Sequence, residues 1–365
     1  MSSKSDSSLL ASVRAPFEGP NTIGNSNAFW ASFALGVALL ALYPLLFGAY
    51  AAESSSVYLV YALLGVSLAF IWGFCGILSF GQVAFFGIAG YTFGIVSINI
   101  STYTGATLGI VTGVLVATLF AALLGYFMFY GGIREVYVTI ITLVVALVLH
   151  TFMGQTAGSE WAIGEARLGG FNGMVGVPDL AVGIGTTGLE FAGAMHYYVV
   201  LLVLVATVLG LRALVNSQFG YAMVATREDE ARTEMFGYNT TFIKFVTFTL
   251  GGALAGLSGV LFVTWGNYID PSEFAITAAA MPVIWASIGG RESIAGTVAA
   301  AIAIQWLQIQ LTGEWALVIV GSLLIVVMLV LPDGIAPGIR DLVVSLRERR
   351  HDDSGTPAAT EEVSD

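Results

Sequence analysis

Charged residues are scarce in this sequence. Only 10% of its 365 residues are Asp, Glu, Lys or Arg, whereas a soluble domain carries roughly a quarter. Hydrophobic residues make up 57% of the chain, and the mean hydropathy is +0.86. The length would allow two or three soluble domains. The composition instead excludes a disordered chain and favours one membrane-embedded domain.

Cations and cysteine are scarcer still. The chain has 13 Lys and Arg against 24 Asp and Glu, and its net charge of -11 has the wrong sign for a nucleic-acid binder. One cysteine, Cys75, cannot form an internal disulfide, so a disulfide scaffold is excluded. Neither lysine, Lys4 or Lys244, follows a glycine. The sequence therefore lacks the Gly-Lys-Ser/Thr P-loop that binds nucleotide phosphates.

Motifs for catalysis and metal binding are missing too. The histidines His150, His196 and His351 are far apart, and no HExxH occurs, whereas a zinc site needs several ligands together. No serine lies in a GxSxG motif, which marks one class of hydrolase. The apolar segments carry no repeated acids or histidines for a proton relay. These absences disfavour a membrane-embedded enzyme and an ion-coupled pump.

Long uncharged runs dominate what is present. No charged residue occurs between Glu53 and Arg134, and a bilayer crossing needs about 20 mostly apolar residues. We predict an all-α, polytopic membrane helical bundle of about ten crossing or partly crossing segments, with at least one broken or partial helix. The predicted segments are 28–50, 57–74, 84–100, 105–130, 136–153, 197–214, 243–265, 276–289, 294–311 and 315–331.

The cations predict an orientation, because Lys and Arg concentrate in cytoplasmic loops. With the N-terminus inside and ten crossings, every cation except Arg167 lies inside. This topology divides the chain into a transmembrane domain and four soluble parts. The transmembrane domain is 28–335, and it contains an extracytoplasmic loop (154–196) and a cytoplasmic loop (215–241). A loosely held cytoplasmic N-terminal arm (1–27) precedes it, and an acidic cytoplasmic tail (336–365) follows it.

One polar interruption lies between two apolar segments, from Gly73 to Tyr91. It contains several glycines together with Ser79 and Gln82. Irregular backbone at membrane depth is tolerated only where protein or a watery cavity surrounds it, and a broken helix can expose polar groups to a solute. We predict that Ser79, Gln82 and Tyr91 lie along a translocation pathway. The alternative is that Ser79 and Gln82 cap the next helix and bond neighbouring helices.

The second interruption, 225–237, is charged at six of its thirteen positions. Thr226 is expected to cap a short helix with acids in its first turn, and Gly237 to end it. Such a helix on the cytoplasmic face could dock into another protein. The alternative is a solvated connector between two membrane helices.

Residues 57–335 resemble the permease subunits of branched-chain amino acid ABC importers, of the longer of two types. Four segments carry the resemblance. Gly76–Gly87 matches the family motif G-x-L-S-x-G-Q-x-x-F-x-G, and residues 169–178 match G-G-x-N-G-x-x-G-x-P. Ala225–Glu230 matches A-x-R-E-x-E, and residues 250–259 match a glycine-rich helix of the family. Arg291 and Glu292 depart from the more neutral turn that is usual after Gly289-Gly290.

The resemblance implies a transport subunit of the cell membrane that is not itself an enzyme and holds no cofactor. Its expected partners are a second permease, two ABC ATPase subunits that bind ATP, and an extracytoplasmic substrate-binding protein. The expected cargo is leucine, isoleucine or valine, and Arg227, Glu228, Glu230 and Gly237 would couple the chain to the ATPases. The alternatives are a permease for urea, short amides or other amino acids, or a self-contained secondary transporter or channel.

Overall fold

The computed structural model describes residues 14–311, 315–331, 334, 335 and 338. The first thirteen residues of the predicted arm and all of the predicted acidic tail except residue 338 lie outside this part.

Twelve α-helices occur in the described part of the chain, and ten of them are apolar. The apolar helices are α1 (Asn27–Phe47), α2 (Ala49–Cys75), α3 (Gln82–Asn99), α4 (Tyr103–Gly125, continued by a π-helical turn, Tyr126–Tyr130), α5 (Glu135–Gly154), α6 (Ala194–Val215), α9 (Thr240–Gly266), α10 (Ile276–Gly289), α11 (Ile294–Gln310) and α12 (Trp315–Val330). The other two, α7 (Gln218–Glu228) and α8 (Glu230–Met235), are short and connect α6 to α9.

The predicted polytopic helical membrane bundle is confirmed. Seven helices are long and apolar enough to cross a bilayer, and α10 and α11 are shorter apolar helices. With 14 residues, α10 rises only about 21 Å, less than the ~30 Å hydrocarbon core, so it is a partial helix as expected. One boundary was wrong: α2 begins at Ala49 rather than at 57. Glu53 stays exposed there while Ser56 Oγ donates to the Ala52 carbonyl at 3.2 Å.

Small residues let the central helices pack closely. A Cβ added at Gly259 of α9 would overlap the backbone of Phe86 in α3, and one at Gly256 would meet Ala117 in α4. On α4, Gly113 lies against the Ala89 carbonyl. Close approach at small residues drives helix association in lipid. The glycines at these contacts therefore serve packing inside this bundle.

The two ends of the bundle differ in charge. At one end, hydrogen bonds and ion pairs connect the segments that carry seven cations, and we call it the basic end. These cations are Arg14, Arg134, Arg212, Arg227, Arg232, Lys244 and Arg291. We call the other end the loop end, because it carries residues 155–193. Arg167 lies there. The cations of the described chain are therefore divided as the predicted topology requires.

The loop end is folded by short strands. Strand β1 (Ala162–Ile163) pairs with β2 (Ala166–Arg167), and β4 (Leu180–Ile184) with β5 (Thr187–Phe191), each antiparallel. Strand β3 (Met174–Val175) pairs with β6 (Tyr268–Ile269), which lies between α9 and α10. This last pairing fixes the long loop to the connection that carries residues 267–275. The all-α prediction therefore holds for the membrane part, and the loop adds small sheets.

Residues 14–27 are not loosely held, contrary to expectation. Arg212 at the end of α6 is only 4% exposed and donates to the carbonyls of Phe17, Ile23 and Gly24 at 3.0–3.2 Å. Its guanidinium also lies 4.5 Å from the centre of the Phe29 ring. A guanidinium buried without a carboxylate must find other acceptors, and the arm supplies them. Residues 14–27 therefore pack on α6 at the basic end.

Candidate functional site

The interruption between α2 and α3 is the irregular stretch that the glycines predicted. Gly76 adopts a left-handed conformation with φ of 79°, and the amides of Gly76 and Ile77 bond the carbonyls of Trp72 and Ile71. This pattern closes a helix, and α3 begins only at Gln82. The stretch lies at the basic end, since a Cβ at Gly76 would contact Arg227. We call residues 76–81 the break.

Two threonines of α5 satisfy the backbone of the break. Thr142 Oγ1 accepts from the Phe80 amide at 3.2 Å, and Thr139 Oγ1 donates to the Leu78 carbonyl at 3.0 Å. Ser79 is 1% exposed, and its Oγ accepts from the Gly81 amide at 3.0 Å. The break is therefore enclosed by protein, the condition for non-helical backbone in a membrane. Sequence reasoning missed Thr139 and Thr142, although their three-residue spacing in an apolar segment was visible.

The side-chain amide of Gln82 bonds a neighbouring helix through its oxygen but not through its nitrogen. Its Oε1 accepts from Ser67 Oγ of α2 at 3.0 Å, while its buried Nε2 has no partner within the described residues. Gly81, not Ser79, occupies the cap position of α3, with no side-chain bond to the helix. The oxygen of Gln82 thus follows the packing alternative, and its buried amide NH2 has no acceptor among the described residues.

Tyr91 lies apart from the other two predicted pathway residues. It is nine residues beyond Gln82 on α3, which corresponds to about 13 Å along the helix axis. Its ring stacks on Phe274, with centroids 6.0 Å apart, and its buried hydroxyl has no partner in the described chain. The structure therefore places Ser79 and Gln82 at the basic end and Tyr91 nearer the loop end.

An acidic residue that the sequence reasoning missed lies near Tyr91. Glu273, in the turn Pro271–Phe274 before α10, accepts from the Tyr61 hydroxyl of α2 at 3.4 Å. Burial, and then neighbouring Asp270, raise the pKa of Glu273 to about 7. We call Tyr61, Tyr91, Asp270 and Glu273 the loop-end acidic site. The signal available in the sequence was an acid in a four-residue turn between two apolar segments.

The charged interruption forms two short helices rather than one. Ser217 caps α7 by accepting from the Gly220 amide, and Asp229 caps α8 by accepting from the Arg232 amide at 2.9 Å. The expected cap at Thr226 was wrong. Because α7 already begins after Ser217, Thr226 is buried in its last turns and donates to the Ala222 carbonyl. Gly237, with φ of 86°, follows α8 and ends it as predicted. We call residues 218–237 the coupling segment.

Arg227 faces the bundle rather than solvent. Its Nη1 donates to the Gly73 carbonyl and to Glu292 Oε1, the latter at 2.8 Å, and its side chain is 19% exposed. The neighbouring Glu228 pairs with Arg227 but is 66% exposed. Arg227 therefore joins α7 to the last turn of α2 and to the turn between α10 and α11. Glu292, which departs from the usual family turn, is its ion-pair partner.

Glu230 also points inward. Lys244 of α9 lies 2.6 Å from Glu230 and 3.1 Å from Glu135 of α5, and the lysine side chain is 9% exposed. The sequence reasoning did not find Lys244 or Glu135, which are distant in the chain. The outward surface of the segment carries both apolar and charged side chains, because Met235 and Phe236 are 87% and 77% exposed and the side chains of Arg232 and Glu228 are 74% and 66% exposed. No group of His, Cys, Asp or Glu in the described residues could hold a metal ion.

These features define a multi-pass helical membrane protein with an enclosed break and a charged segment fixed across one end. The chain belongs to the family described as branched-chain amino acid transport system / permease component, whose profile matches residues 50–329. The chain is similar to the high-affinity branched-chain amino acid transport system permease protein LivM of Escherichia coli (strain K12), at 25% identity over 83% of this chain and 75% of the relative. The LivM of Salmonella typhimurium is 26% identical to it, over 77% of this chain and 69% of the relative. No solved structure matches the chain.

Proposed function

We propose that this chain is a transmembrane subunit of an ATP-driven importer of branched-chain amino acids. The family match over residues 50–329 carries the proposal. The permeases to which the chain is similar are named for high-affinity transport of these amino acids. The enclosed break and the few polar groups along α3 suit a solute that is polar at one end and apolar at the other.

Partner subunits supply the energy in this proposal. The sequence contains no Gly-Lys-Ser/Thr motif, so two separate ATPases bind and hydrolyse ATP, and this chain holds no cofactor. A second permease completes the pathway, and an extracytoplasmic binding protein delivers the cargo at the loop end. In this proposal the basic end faces the cytoplasm, because Lys and Arg concentrate on that side of the cell membrane, and both termini are expected there.

The coupling segment transmits the motion of the ATPases. The exposed Met235 and Phe236, together with the exposed Glu228 of the same segment, form the surface that contacts an ATPase, since exposed apolar patches mark contact sites. Arg227 carries the motion to α2 and to the turn before α11, while Lys244 carries it to α5 and α9. The break is next to Arg227. We therefore expect movement of α7 to change the packing around Ser79 and Gln82.

The composition of the native assembly tests this proposal. We expect the tagged chain, purified in mild detergent from its own membranes, to bring with it a P-loop ATPase and a second permease in near-equal amounts. Mass spectrometry identifies both. Changing Met235 and Phe236 to serine should remove the ATPase and leave the second permease bound. Recovery of this chain alone in several detergents would contradict the proposal and favour a self-contained transporter.

The predicted pathway residues can be tested by labelling. Cysteine is placed singly at Ser79, Gln82 and Tyr91 in a Cys75→Ala background, and Ala84, which is buried on α3, serves as the matched control. We expect a hydrophilic thiol reagent to react with the first three positions in at least one state of the ATP cycle, because a pathway admits water. Complete protection of all three in every state, as at residue 84, would remove them from the pathway.

A further inference from the structure

The loop end contains a carboxylate that no cation of the described chain neutralises. Ion pairs among the described residues involve Arg227, Arg232 and Lys244, all at the basic end. Glu273 has one hydrogen-bond partner there, the Tyr61 hydroxyl, and a second acid, Asp270, nearby. Buried charges in proteins are normally paired. An unpaired and largely desolvated carboxylate in a transport bundle is therefore a place where a cation gains binding energy.

Two buried donors without partners among the described residues lie near this carboxylate or near its hydrogen-bond partner Tyr61. Tyr91 is 5% exposed and its hydroxyl is unpartnered within the described residues. Its ring stacks on Phe274, next to Glu273, and its hydroxyl is within electrostatic range of Asp270 and Glu273. Trp285 is 1% exposed, its Nε1 is also unpartnered in the described part, and its ring lies 5.7 Å from that of Tyr61. A buried donor without an acceptor costs about 1–3 kcal/mol, so both mark where a polar ligand would bond.

Aromatic rings complete the surroundings. The ring of Tyr61 lies between Phe86, Phe262 and Trp285, with centroids 5.6–6.2 Å apart. Aromatic faces attract ammonium groups through their quadrupoles and also cover apolar side chains. The site thus offers a carboxylate and rings to a cation, N–H and O–H donors to an anion, and apolar surface to a hydrocarbon chain. A zwitterionic amino acid with an apolar side chain carries all three groups.

We propose that the loop-end acidic site binds the ammonium group of an amino acid as it enters the bundle, with Glu273 as the acceptor. The inference rests on the proposed transport function and adds to it a substrate-contacting residue. Tyr61 orients the Glu273 carboxylate, and Tyr91 and Trp285 supply donors toward the carboxylate of the same ligand. Tyr61 and Tyr91 lie near the middle of α2 and α3, so the binding group lies inside the bundle and apart from the coupling segment.

Uptake of radiolabelled leucine into proteoliposomes tests the inference. The complete assembly is used with saturating binding protein, so that selection before delivery is equal for all variants. We expect Glu273→Gln to lower the initial rate about fivefold, because a charge-assisted hydrogen bond becomes a neutral one, and Glu273→Asp to retain more of the rate. Glu190→Gln, an exposed acid on β5 at the same end, is the matched control and should leave uptake unchanged. The neutral Glu273→Gln variant removes a desolvated charge, so it should fold and assemble at least as well.

Infrared spectroscopy supplies a readout that does not depend on transport. Because burial raises the pKa of Glu273 to about 7, most of its population is protonated at about pH 6. A nearby ammonium favours the charged carboxylate. Millimolar leucine should therefore remove a protonated-carboxyl band in the wild type but not in Glu273→Gln. 4-Methylpentanoate, which lacks the ammonium group, should not remove it. The other titratable groups near the turn are Asp270, Tyr61, Tyr91, Tyr268 and His150, whose Nδ1 donates to the Pro271 carbonyl at 2.7 Å.

The outcomes separate the inference from the proposed function. Wild-type uptake of leucine with an unchanged rate in Glu273→Gln would overturn the inference and leave the function standing. A band lost equally with leucine and 4-methylpentanoate would also overturn it. An assembly that transports no branched-chain amino acid would overturn the function and the inference together.

Discussion

Arg227→Ala is expected to abolish most transport while the protein remains folded. The substitution removes the bond to the Gly73 carbonyl and leaves Glu292 without its partner. Hydrogen bonds to charged groups contribute about 1.5–3 kcal/mol each, so we expect the attachment of α7 to the bundle to weaken by about 3 kcal/mol. A loss of that size lowers the population of molecules in which α7 is attached to the bundle about a hundredfold. The initial rate of leucine uptake measures it.

Matched variants distinguish coupling from a general loss of charge. Arg232 is in the same segment but 74% exposed, and Arg232→Ala should change uptake less than twofold. Exchanging the charges, as Arg227→Glu with Glu292→Arg, should recover part of the uptake that either change alone loses, since contacting residues couple energetically. Full uptake by Arg227→Ala, with the ATPase still attached, would remove Arg227 from the transmission of motion.

The helices could be predicted because their signal is local. Long uncharged runs and the ~20-residue length of a crossing located all ten apolar helices, and the glycines located the break. The start of α2 was wrong because Glu53 tolerates an exposed position on the first turns of that helix. Whether a charged residue ends a helix depends on which way its side chain points, and a single sequence does not contain that information.

The charged contacts could not be predicted because they join distant parts of the chain. Arg227 and Glu292 are 65 residues apart, and Arg212 bonds carbonyls near residue 20. The sequence predicts that Arg227, Glu228 and Glu230 make or orient the contact with an ATPase. In the fold, Arg227 and Glu230 form ion pairs with residues of the bundle, and Met235 and Phe236 are exposed on the same segment. Glu292 looked like a departure from its family. Its position opposite Arg227 shows that the departure comes with a partner.

Lys244→Met is expected to detach the second half of the coupling segment. The lysine neutralises Glu230 and Glu135 together, and methionine keeps the length of the side chain but leaves two like charges side by side. Because both carboxylates are nearly half exposed, water screens part of the repulsion, and we expect a loss of about 2 kcal/mol. That corresponds to roughly thirtyfold lower uptake. Hydrogen exchange should rise across residues 229–238 and stay unchanged in α2.

A double-mutant cycle decides whether the ion pairs of Lys244 are responsible for the loss of uptake. If Lys244 acts through Glu230, then Lys244→Met combined with Glu230→Gln should lose little more than Lys244→Met alone, because the second change removes the charge that was left unpaired. Arg134→Gln, an exposed cation next to Glu135, is the control and should not alter exchange in α8. Additive losses in the double variant would mean that Lys244 and Glu230 act independently. Motion of the ATPases would then reach the bundle through Arg227 alone. The ion pairs of Lys244 that connect α8 to α5 and α9 would only stabilise the fold.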